Sequence, residues 1–458
     1  MIFLYKAQEE LHRYKKNIAI EYLNRKISYL NFWRYCSGLS KKINKIKKNP
    51  RVIIISNQSP ASYISIFGTL MAGGTYIPVA DTNPIDRICK IISISKCNII
   101  LCSNKMKKNL KKKFQNKYFL DKDKLYKNKK PFLISKKKNK LAYIIFTSGS
   151  TGKPKGVCIS RDSLDFYINW LKKNLKINFK SKCSQFPQIG FDLSVADIFG
   201  CISSNGTLVP VRNKLDIFFP GAFLKEKSLT HLICVPSLID SFKKSGGLTK
   251  SNFKSLKIIF FCGEPLLFRH VHEIFKINKK ILIINAYGPT EATCSCTYSL
   301  INKDNYKKKY KTSMSIGKAN KGMEIKLLND KNQISSRRGE ILICGPQVSD
   351  GYLNRKDNLK KFFKKNKIKS FKTGDLAEII NKELYFVDRK DNQIKIRGHR
   401  VELNEIDYFV SKQTSINSSS IFINNKIITF IDKKLNFNNL KNILKKNIPE
   451  YMVPNNFY

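Results

Sequence analysis

Blocks of apolar residues alternate with polar stretches along the chain, and the spacing within each block predicts strands and helices in regular succession. The N-terminal part predicts, in order, a strand at Arg51–Ser56, a helix at Ala61–Ala72, a strand at Tyr76–Val79, a helix at Asp86–Ser95 and a strand at Asn98–Cys102. The same alternation returns between His231 and Asn285. Strands joined by helices in this way indicate parallel sheets.

The pattern weakens at Lys105–Lys140, where lysine and asparagine dominate, and we expect a long surface connection there. After about Phe371 short runs predict two hairpins, Leu376–Ile380 with Leu384–Val387 and Ser420–Asn424 with Lys426–Ile431, and helices near Glu402–Lys412 and Asn439–Lys446. The fold class is therefore α/β. Residues 1–388 are expected to form a large domain of stacked, mostly parallel sheets flanked by helices, and residues 389–458 a small, mobile α+β domain.

Composition narrows the choice of partners. The 458 residues, 42% of them apolar, can fill a large core, and 86 lysines and arginines against 33 acids give a formal charge of +53. Such a charge suggests a nucleic acid, but the lysines are spread over the whole chain among many isoleucines, asparagines and phenylalanines, as in AT-rich coding sequences. We expect no specific nucleic-acid partner, although weak binding to polyanions that depends on salt is physically expected.

Cysteine spacing and hydropathy indicate a cytoplasmic protein. The 12 cysteines are scattered, without zinc-ligand spacing or a dense disulfide framework, so reduced thiols are expected. The opening residues Met-Ile-Phe-Leu-Tyr-Lys are too short for a signal peptide, and no run of about 18 apolar residues predicts a membrane span.

The segment Thr147–Val157 carries the clearest chemical signal, because its glycines, hydroxyls and two lysines suit a polyphosphate. It follows the apolar run Leu141–Phe146, and flexible linkers seldom lie between two apolar strands. The Walker pattern is excluded, since Gly149 and Gly152 are too close and a proline follows Lys153. The loop therefore predicts nucleotide chemistry of another kind.

This loop and the segments that accompany it resemble the core motifs of the adenylate-forming superfamily, which comprises acyl-CoA synthetases, luciferases and the adenylation enzymes of peptide synthesis. The matching segments are, in family order, Leu70–Val79, Thr147–Val157, Phe191–Ser194, Asn285–Glu291, Gly339–Ile343 with Gly351-Tyr352, Lys372–Asp375 and Asp388–Gly398. The resemblance implies that a carboxylate attacks the α-phosphate of ATP and expels pyrophosphate. Donors and cations are needed there, because an anion must approach an anion.

The resemblance also implies roles for individual residues. It assigns nucleotide binding to Thr147, Ser148, Gly149, Ser150, Thr151, Gly152, Lys153, Asn285, Ala286, Tyr287, Gly288, Pro289, Thr290, Asp375 and Arg389. Thr147, Lys155 and Glu291 are the catalytic candidates, and Glu291 would hold Mg²⁺. Tyr287 would stack on adenine, Asp375 would accept the ribose hydroxyls, Arg389 would add a ribose contact and Asp391 would be the hinge. Taken alone, Asp375 is more simply a helix cap or turn residue.

The residue Asp192 bears on the substrate class. In amino-acid-activating members this aspartate pairs with the substrate ammonium, whereas activators of fatty acids have no use for an anion there. Asp192 also precedes the helical run Val195–Cys201 and could cap it. The matching pocket positions are uncharged: Leu193, Ala196, Cys234, Phe260, Cys262, Ala286, Cys294 and Ser295. The resemblance therefore implies a small neutral amino acid, with Asp192, Cys262 and Cys294 contacting it.

The segments Phe191–Asp197, Phe261–Glu264 and Tyr287–Thr293 are most similar to the D-alanine:D-alanyl carrier protein ligases, in which a cysteine before Gly-Glu favours the D-isomer. Cys262 holds that place, although a buried small hydrophobe ending a strand is the alternative. A stand-alone adenylation domain of nonribosomal peptide synthesis is nearly as good a match. Either enzyme would pass the amino acid to a phosphopantetheinylated carrier protein, with Lys395, Arg397 and Gly398 guiding the carrier thiol.

The chain departs from the family in two places. After Ile448–Pro454 it stops at Tyr458, whereas the family continues to an Asn-Gly-Lys motif, and losing that lysine is expected to cost on the order of 10²–10³ in rate. We therefore expect impaired adenylation, or an eroded nucleotide- and amino-acid-binding subunit that needs a partner chain. Asp388 replaces the usual glycine, which puts the ribose contact of Arg389 and the hinge rotation in question.

Overall fold

The computed structural model describes residues 1–124, 126–149, 152–358, 361–414, 416–432 and 436–458. Its helices are α1 (Ile2–Tyr14), α2 (Tyr29–Ile46), α3 (Pro60–Met71), α4 (Ile85–Ser95), α5 (Asn104–Lys111), α6 (Arg161–Asn174), α7 (Leu193–Ile202), α8 (Lys214–Phe218), α9 (Pro220–Glu226), α10 (Ser237–Lys244), α11 (Phe268–Ile277), α12 (Leu403–Thr414) and α13 (Phe437–Asn447). Short 3₁₀ helices lie at Thr290–Ala292, Arg355–Asn358 and Glu450–Met452.

The strands, in chain order, are β1 (Ile18–Tyr22), β2 (Arg25–Ser28), β3 (Arg51–Ser56), β4 (Thr75–Ala80), β5 (Ile99–Cys102), β6 (Tyr118–Asp121), β7 (Leu141–Thr147), β8 (Lys155–Ser160), β9 (Lys182–Gln185), β10 (Thr207–Pro210), β11 (His231–Cys234), β12 (Ile258–Phe261), β13 (Leu282–Tyr287), β14 (Thr297–Ile301), β15 (Lys318–Ala319), β16 (Glu324–Leu328), β17 (Ile334–Ser335), β18 (Arg338–Cys344), β19 (Phe362–Lys365), β20 (Ile368–Ile380), β21 (Glu383–Arg389), β22 (Gln393–Ile396), β23 (His399–Glu402), β24 (Ser418–Ile423), β25 (Lys426–Ile431) and β26 (Asn456–Phe457).

Two large, mostly parallel sheets form the N-terminal part, as the alternating pattern predicts. One has the strand order β15-β14-β13-β12-β11-β9-β10-β1-β2, and the other β6-β5-β3-β4-β7-β8. Antiparallel pairs occur toward their edges, at β1/β2, β13/β14, β14/β15 and β7/β8. Strand β3 has the burial typical of an interior strand of a parallel sheet: its residues Val52–Ile55 are all buried, as expected when both faces of the sheet are covered by other elements.

Aromatic side chains fill the core between the helices and these sheets. The ring of Phe67 on α3 lies 5.4 Å from that of Phe32, 5.5 Å from that of Trp33, 6.1 Å from that of Phe3 and 5.1 Å from that of Phe199. Most of these pairs meet edge to face, the geometry that aromatic rings prefer. Helices α1, α2, α3 and α7 are thereby joined in one cluster.

The expected surface connection at Lys105–Lys140 is wrong in part. Helix α5 and strand β6 lie within it, and β6 extends the smaller of the two sheets beside β5. Leu110 is fully buried and Leu120 nearly so, while Lys111, Lys112 and Lys113 between them face solvent. A few apolar residues at the right spacing are enough to dock an otherwise basic segment on a sheet.

A third, antiparallel sheet has the order β17-β16-β18-β20-β19, and β21 pairs with β20. The predicted hairpin at Leu376–Val387 is part of this sheet, which ends at Arg389. The hairpin β22–β23, the sheet β24-β25-β26 and helices α12 and α13 follow and form the smaller C-terminal domain around a separate core. The boundary between residues 388 and 389 stays a prediction.

The C-terminal domain docks on helix α4. Arg87 Nη1 on α4 lies 2.8 Å from Glu405 Oε1 on α12, and both side chains are buried. The ammonium of Lys90 lies 4.5 Å from the centre of the Phe409 ring, a cation–π contact. In this docked position Gly398, at the turn of the hairpin β22–β23, lies against Val235, which follows directly after β11.

Within the part of the chain that the structure describes, each helix is too short or too polar to cross a bilayer.

Candidate active site

The predicted phosphate loop is the connection of a β-hairpin. Strands β7 and β8 pair antiparallel, with Thr147 opposite Lys155 at the mouth of the loop. Ser148 and Gly149 are buried, whereas Lys153 faces solvent and Lys155 is half-buried, with its ammonium 5.9 Å from the centre of the Tyr352 ring. The strand–loop–strand prediction is confirmed in its described parts.

The remaining members of the loop are Ser150, Thr151 and Gly152. Ser150 and Thr151 lie outside the described residues. Gly152 has a φ of +69°, and a Cβ atom there would meet the Tyr408 ring of α12 at 2.1 Å. The loop is therefore packed against the C-terminal domain at a position that only glycine fits.

The carboxylate of Asp375 forms the centre of a second group of predicted residues. It lies in β20, which rules out the helix-cap alternative, and its side chain is buried. The hydroxyl of Tyr287 donates to Asp375 Oδ2 at 2.5 Å, and Arg389 Nη1 donates to Oδ1. Arg389 also holds Asp391 through two further N–H donors, at 2.7 and 3.0 Å. Asp388 therefore does not prevent Arg389 from reaching this group.

Asp192 is buried at the start of α7 and lines the same cleft as Asp375. It stands at the N-cap position, but its side chain makes no capping hydrogen bond; instead Oδ2 accepts the Thr290 hydroxyl at 2.6 Å. Burial raises the pKa of Asp192 to about 6, and the Thr290 hydrogen bond and the charge of Lys395 offset part of that shift. Asp192 therefore does not cap α7 through its side chain, and its carboxylate faces the cleft.

Cys262 follows directly after β12 and lines this cleft beside Asp192. Its thiol lies 3.9 Å from the carbonyl oxygen of Cys294. The other pocket positions predicted from the resemblance are also buried, and most pack in one cluster with Cys262: Leu193, Ala196, Phe260, Ala286 and Cys294. Cys234 differs, because side chains alternate along β11 and that of Cys234 packs in another cluster.

The predicted residue Asn285 is turned toward the protein interior. Its amide donates to the carbonyl of Ser315 at 2.9 Å, so this side chain ties β13 to the chain near residue 315. The residues that follow it, Gly288, Pro289 and Thr290, do line the cleft.

Glu291 is fully buried in the 3₁₀ helix that follows β13. The Tyr352 hydroxyl donates to its Oε1 at 2.5 Å, and Arg400 Nη1 lies 2.8 Å from Oε1 and 3.0 Å from Oε2. Burial alone would raise the pKa of Glu291, but the charge of Arg400 and the Tyr352 hydrogen bond outweigh it and lower the pKa. Glu291 is therefore a carboxylate with a cation already at its oxygens.

The hairpin β22–β23 closes the cleft from the C-terminal side. The backbone N–H of Gly398, at its turn, donates to Glu264 Oε1 at 2.8 Å, and Ser148 Oγ donates to the carbonyl of Arg400 at 2.8 Å. Nothing in the local sequence around Arg400 or Glu264 predicts these contacts, because they join segments more than a hundred residues apart. Asp192 and Asp375 thus line one cleft beneath this hairpin, and Arg400, which also lines the cleft, contacts both Glu291 and Ser148 of the phosphate loop.

Comparison with known proteins identifies the family. The model of the AMP-binding enzyme family matches residues 7–353. The chain belongs to this family. This AMP-binding enzyme is 29% identical to the D-alanine–D-alanyl carrier protein ligase of Bacillus licheniformis over 94% of this chain and 90% of that protein. It is 28% identical to a mycosubtilin synthase of Bacillus subtilis over 98% of this chain and 18% of that protein.

Solved structures confirm the fold. The adenylation domain AlmE of Vibrio cholerae, in complex with glycyl-adenosine-5′-phosphate, superposes with a TM-score of 0.89 at 24% identity and covers 100% of this chain and 94% of its own. The predicted α/β architecture with a large sheet-rich domain and a smaller C-terminal one is therefore confirmed. AMP-binding enzymes use ATP, and this one is an AMP-forming ligase.

The residues of this AMP-binding enzyme fit a magnesium ion that arrives with a nucleotide. Magnesium is commonly held by one or two carboxylates together with phosphate oxygens and water, and Glu291 offers one buried carboxylate on a 3₁₀ helix that contacts β8, the strand after the phosphate loop. Within the described residues there is no group of three or more His, Cys, Asp or Glu side chains that could cage a metal. Arg400 would have to leave the Glu291 oxygens before a cation could bind them.

Proposed function

We propose that this AMP-binding enzyme activates a small neutral amino acid, D-alanine in the first place, as its adenylate and transfers it to the phosphopantetheine thiol of a carrier protein. The observation that carries the proposal is the buried Asp192 carboxylate in a cleft that also holds Asp375 and Cys262. The charge of Lys395 offsets only part of the cost of burying this carboxylate, so a ligand that brings a further positive charge is favoured. An α-ammonium group is such a ligand.

In the first half-reaction the amino-acid carboxylate attacks the α-phosphate of ATP, and pyrophosphate leaves. Asp192 would hold the ammonium, Asp375 the ribose hydroxyls, and the N–H and hydroxyl groups of the Thr147–Lys155 loop the β- and γ-phosphates. Glu291 would hold Mg²⁺, which when bound neutralises phosphate charge. Once they have exchanged their present protein partners for the substrates, these groups would stabilise the negative charge that moves to the leaving group.

The residues that line the cleft near Asp192 favour a substrate with a small neutral side chain. Leu193, Cys262 and Gly263 line it, and none of them carries a charge. Cys262 supports D-alanine, because it stands where the resemblance places the residue that crowds the substrate Cα. The proposal for this substrate also draws on the relative from Bacillus licheniformis, which its name describes as acting on D-alanine.

A stand-alone adenylation domain of peptide synthesis is the second candidate. The match to the mycosubtilin synthase over nearly the whole of this chain favours it. The two candidates share the adenylation chemistry and differ in amino acid and carrier, so substrate profiling distinguishes them.

The test is amino-acid-dependent exchange of pyrophosphate into ATP by the 458-residue chain, with D-alanine, L-alanine, glycine and larger neutral amino acids. Exchange that is fastest with D-alanine supports the first candidate, and a preference for another amino acid supports the second. Bound ATP without exchange for any amino acid would contradict both and favour a binding subunit that needs a partner chain.

Amino-acid binding is expected to weaken at acid pH. The folded protein holds the Asp192 proton more tightly than the unfolded chain, with a pKa of about 6 against an ordinary 3.8, and only the ionised form pairs with an ammonium. The KM for the amino acid should therefore rise about tenfold for each pH unit below 6, while the KM for ATP changes less. Exchange kinetics between pH 5 and 8 measure this.

The same pKa shift affects the stability of the unliganded protein in the opposite direction, because stability falls where amino-acid binding improves. Between pH 4 and 6 the folded state binds more protons at Asp192 than the unfolded state, so the free energy of unfolding falls as pH rises through that window. A bound amino acid should remove this dependence. An unchanged amino-acid KM between pH 7 and 5 would contradict the pairing.

Replacing Gly398 by alanine is expected to impair transfer to the carrier and spare adenylation. Gly398 has a φ of +79°, and an added Cβ would lie 2.4 Å from Val235 Cγ1, so the hairpin could not dock as it does. We expect carrier loading to fall at least about tenfold, with pyrophosphate exchange within about twofold of wild type.

The matched control is Gly246→Ala. Gly246 also has a positive φ, +66°, but an added Cβ would meet nothing within 4 Å. Both activities should be retained in this variant. Equal loss of exchange and loading in Gly398→Ala would show that Gly398 has no separate role in transfer.

A further inference from the structure

The short helix α8 has an inverted pattern of polar and apolar side chains. Asp216 is buried, whereas Leu215, Ile217 and Phe218 are 62%, 42% and 61% exposed, and Phe219, directly after the helix, is 53% exposed. A helix on the surface of a soluble protein normally buries its apolar side chains and exposes its charges. We call the four exposed side chains of residues 215 and 217–219 the apolar tip.

A network of charges holds the apolar tip in its outward position. Arg212, just before α8, donates to both oxygens of Asp216, with Nη2 at 2.7 Å from Oδ1 and Nε at 2.9 Å from Oδ2. The same guanidinium donates to both oxygens of Glu226 on α9, at 2.7 and 2.8 Å. Such bidentate pairs fix geometry as well as charge. Because the carboxylate of Asp216 is clamped inward, its apolar neighbours on α8 are held in the solvent.

Exposed lysines surround the apolar tip. Helix α10 ends beside α9, since a Cβ atom added at Gly221 would lie 2.6 Å from Gly247 Cα. Among the described residues the acids of α8, α9 and α10 are paired with Arg212, Lys227 and Arg269. The lysines of these three helices, none of them in an ion pair with a described carboxylate, are Lys214, Lys225, Lys243 and Lys244.

We propose that the apolar tip inserts into the headgroup region of an anionic lipid bilayer, with the surrounding lysines against the lipid phosphates. A contact of this kind lies on one leaflet and needs no helix that spans the membrane. The inference goes beyond the proposed function and does not depend on which amino acid is activated.

Charge and shape favour a lipid surface over a protein partner. Successive side chains of a helix point about 100° apart, so Ile217 and Phe218 leave the backbone in different directions. A fluid bilayer can surround side chains that point in different directions, whereas one rigid protein face meets only some of them. A second copy of this chain would bring the same lysines into contact, and two chains of formal charge +53 repel one another. An anionic bilayer instead offers negative phosphates around an apolar interior.

The experiment measures flotation of the 458-residue chain with vesicles of phosphatidylglycerol and phosphatidylcholine in equal parts, and with vesicles of phosphatidylcholine alone. An ionic strength of about 0.15 M screens the lysines that lie far from the membrane. We expect the chain to bind the anionic vesicles, and the neutral ones at least about tenfold more weakly. The double variant Leu215→Ser, Phe218→Ser keeps every charge, and it should bind the anionic vesicles at least about tenfold more weakly than wild type.

The matched control is Ile334→Ser, Phe363→Ser, which removes two other exposed apolar side chains, from β17 and β19. It should bind the anionic vesicles as the wild type does. Since all four replaced side chains are exposed, both double variants should keep the melting temperature and the pyrophosphate exchange of wild type.

A second measurement leaves the tip apolar, so it does not depend on how the serine variant folds. The tryptophan introduced by Phe218→Trp should be quenched by lipids brominated in their acyl chains, and the one introduced by Phe363→Trp should not. The two native tryptophans, Trp33 and Trp170, are buried and give a constant background.

Three outcomes would overturn the proposal. Equal binding of wild type and the tip variant to anionic vesicles would show that dispersed lysines act without the tip. Binding to neither kind of vesicle, or no quenching in Phe218→Trp, would exclude insertion. If the tip variant instead raises the KM for a carrier protein, or turns a dimer into a monomer in ultracentrifugation, the tip is a protein interface.

Discussion

Replacing Asp192 by asparagine is expected to raise the KM for the amino acid by about 10²–10³-fold, with the affinity for ATP within about twofold of wild type. The carboxylate is buried and accepts the Thr290 hydroxyl, and the charge of Lys395 offsets only part of the cost of its burial, so a bound ammonium would add the compensating charge. Breaking a buried ion pair costs about 3–5 kcal/mol, which sets the size of the effect. Pyrophosphate exchange gives the KM, and calorimetry gives the affinity for ATP.

The control for this prediction is Asp197→Asn. Asp197 lies on the same helix and is fully buried, but it is not among the residues that line the cleft. Its replacement should leave the amino-acid KM unchanged. If Asp192→Asn retains a normal KM, the substrate is not bound through its ammonium, and the assignment to amino acids must be abandoned.

Replacing Asp375 by asparagine is expected to weaken ATP binding by about 10²-fold. In the structure the carboxylate accepts the hydroxyl of Tyr287 and pairs with Arg389, and it would exchange these partners for ribose hydroxyls. Hydrogen bonds to a charged group contribute about 1.5–3 kcal/mol each, and asparagine offers only one acceptor atom without the charge. Calorimetric titration with ATP measures the change directly.

Asp388→Asn is the matched control, because Asp388 is exposed and lies on the neighbouring strand β21. It should bind ATP as the wild type does. An Asp375→Asn variant with normal ATP affinity would mean that this carboxylate serves only to hold Arg389 and Tyr287 in place. The melting temperature of both variants shows whether folding is affected.

Local patterns in the sequence predicted those parts of the site that depend on neighbouring residues. The phosphate loop between two apolar runs is a hairpin connection. It could be predicted because its composition and its two flanking apolar runs lie within one short segment. Strand β3 begins and ends at the predicted residues for the same reason. Alternation of side chains along β11, by contrast, decides that Cys234 faces another cluster, and this depends on where the strand starts.

Contacts between distant segments could not be predicted in this way. Arg400 and Glu291 are 109 positions apart, and Glu405 and Gly149 are 256 apart, so their meeting depends on how the C-terminal domain is docked. Helix α5 was not predicted because most of its residues are lysine or asparagine, and Leu110 is its single buried residue. The roles of the individual site residues stay predictions until the substitutions above are measured.

The buried pair Arg87–Glu405 has a consequence for protein engineering. Exchanging the C-terminal domain for that of another family member would transplant α12 without its counterpart on α4. A recipient that keeps Arg87 but receives a neutral residue at position 405 would bury an unpaired guanidinium on docking, at a cost of about 3–5 kcal/mol. Chimaeras built from such domains should therefore be chosen so that both positions come from the same parent.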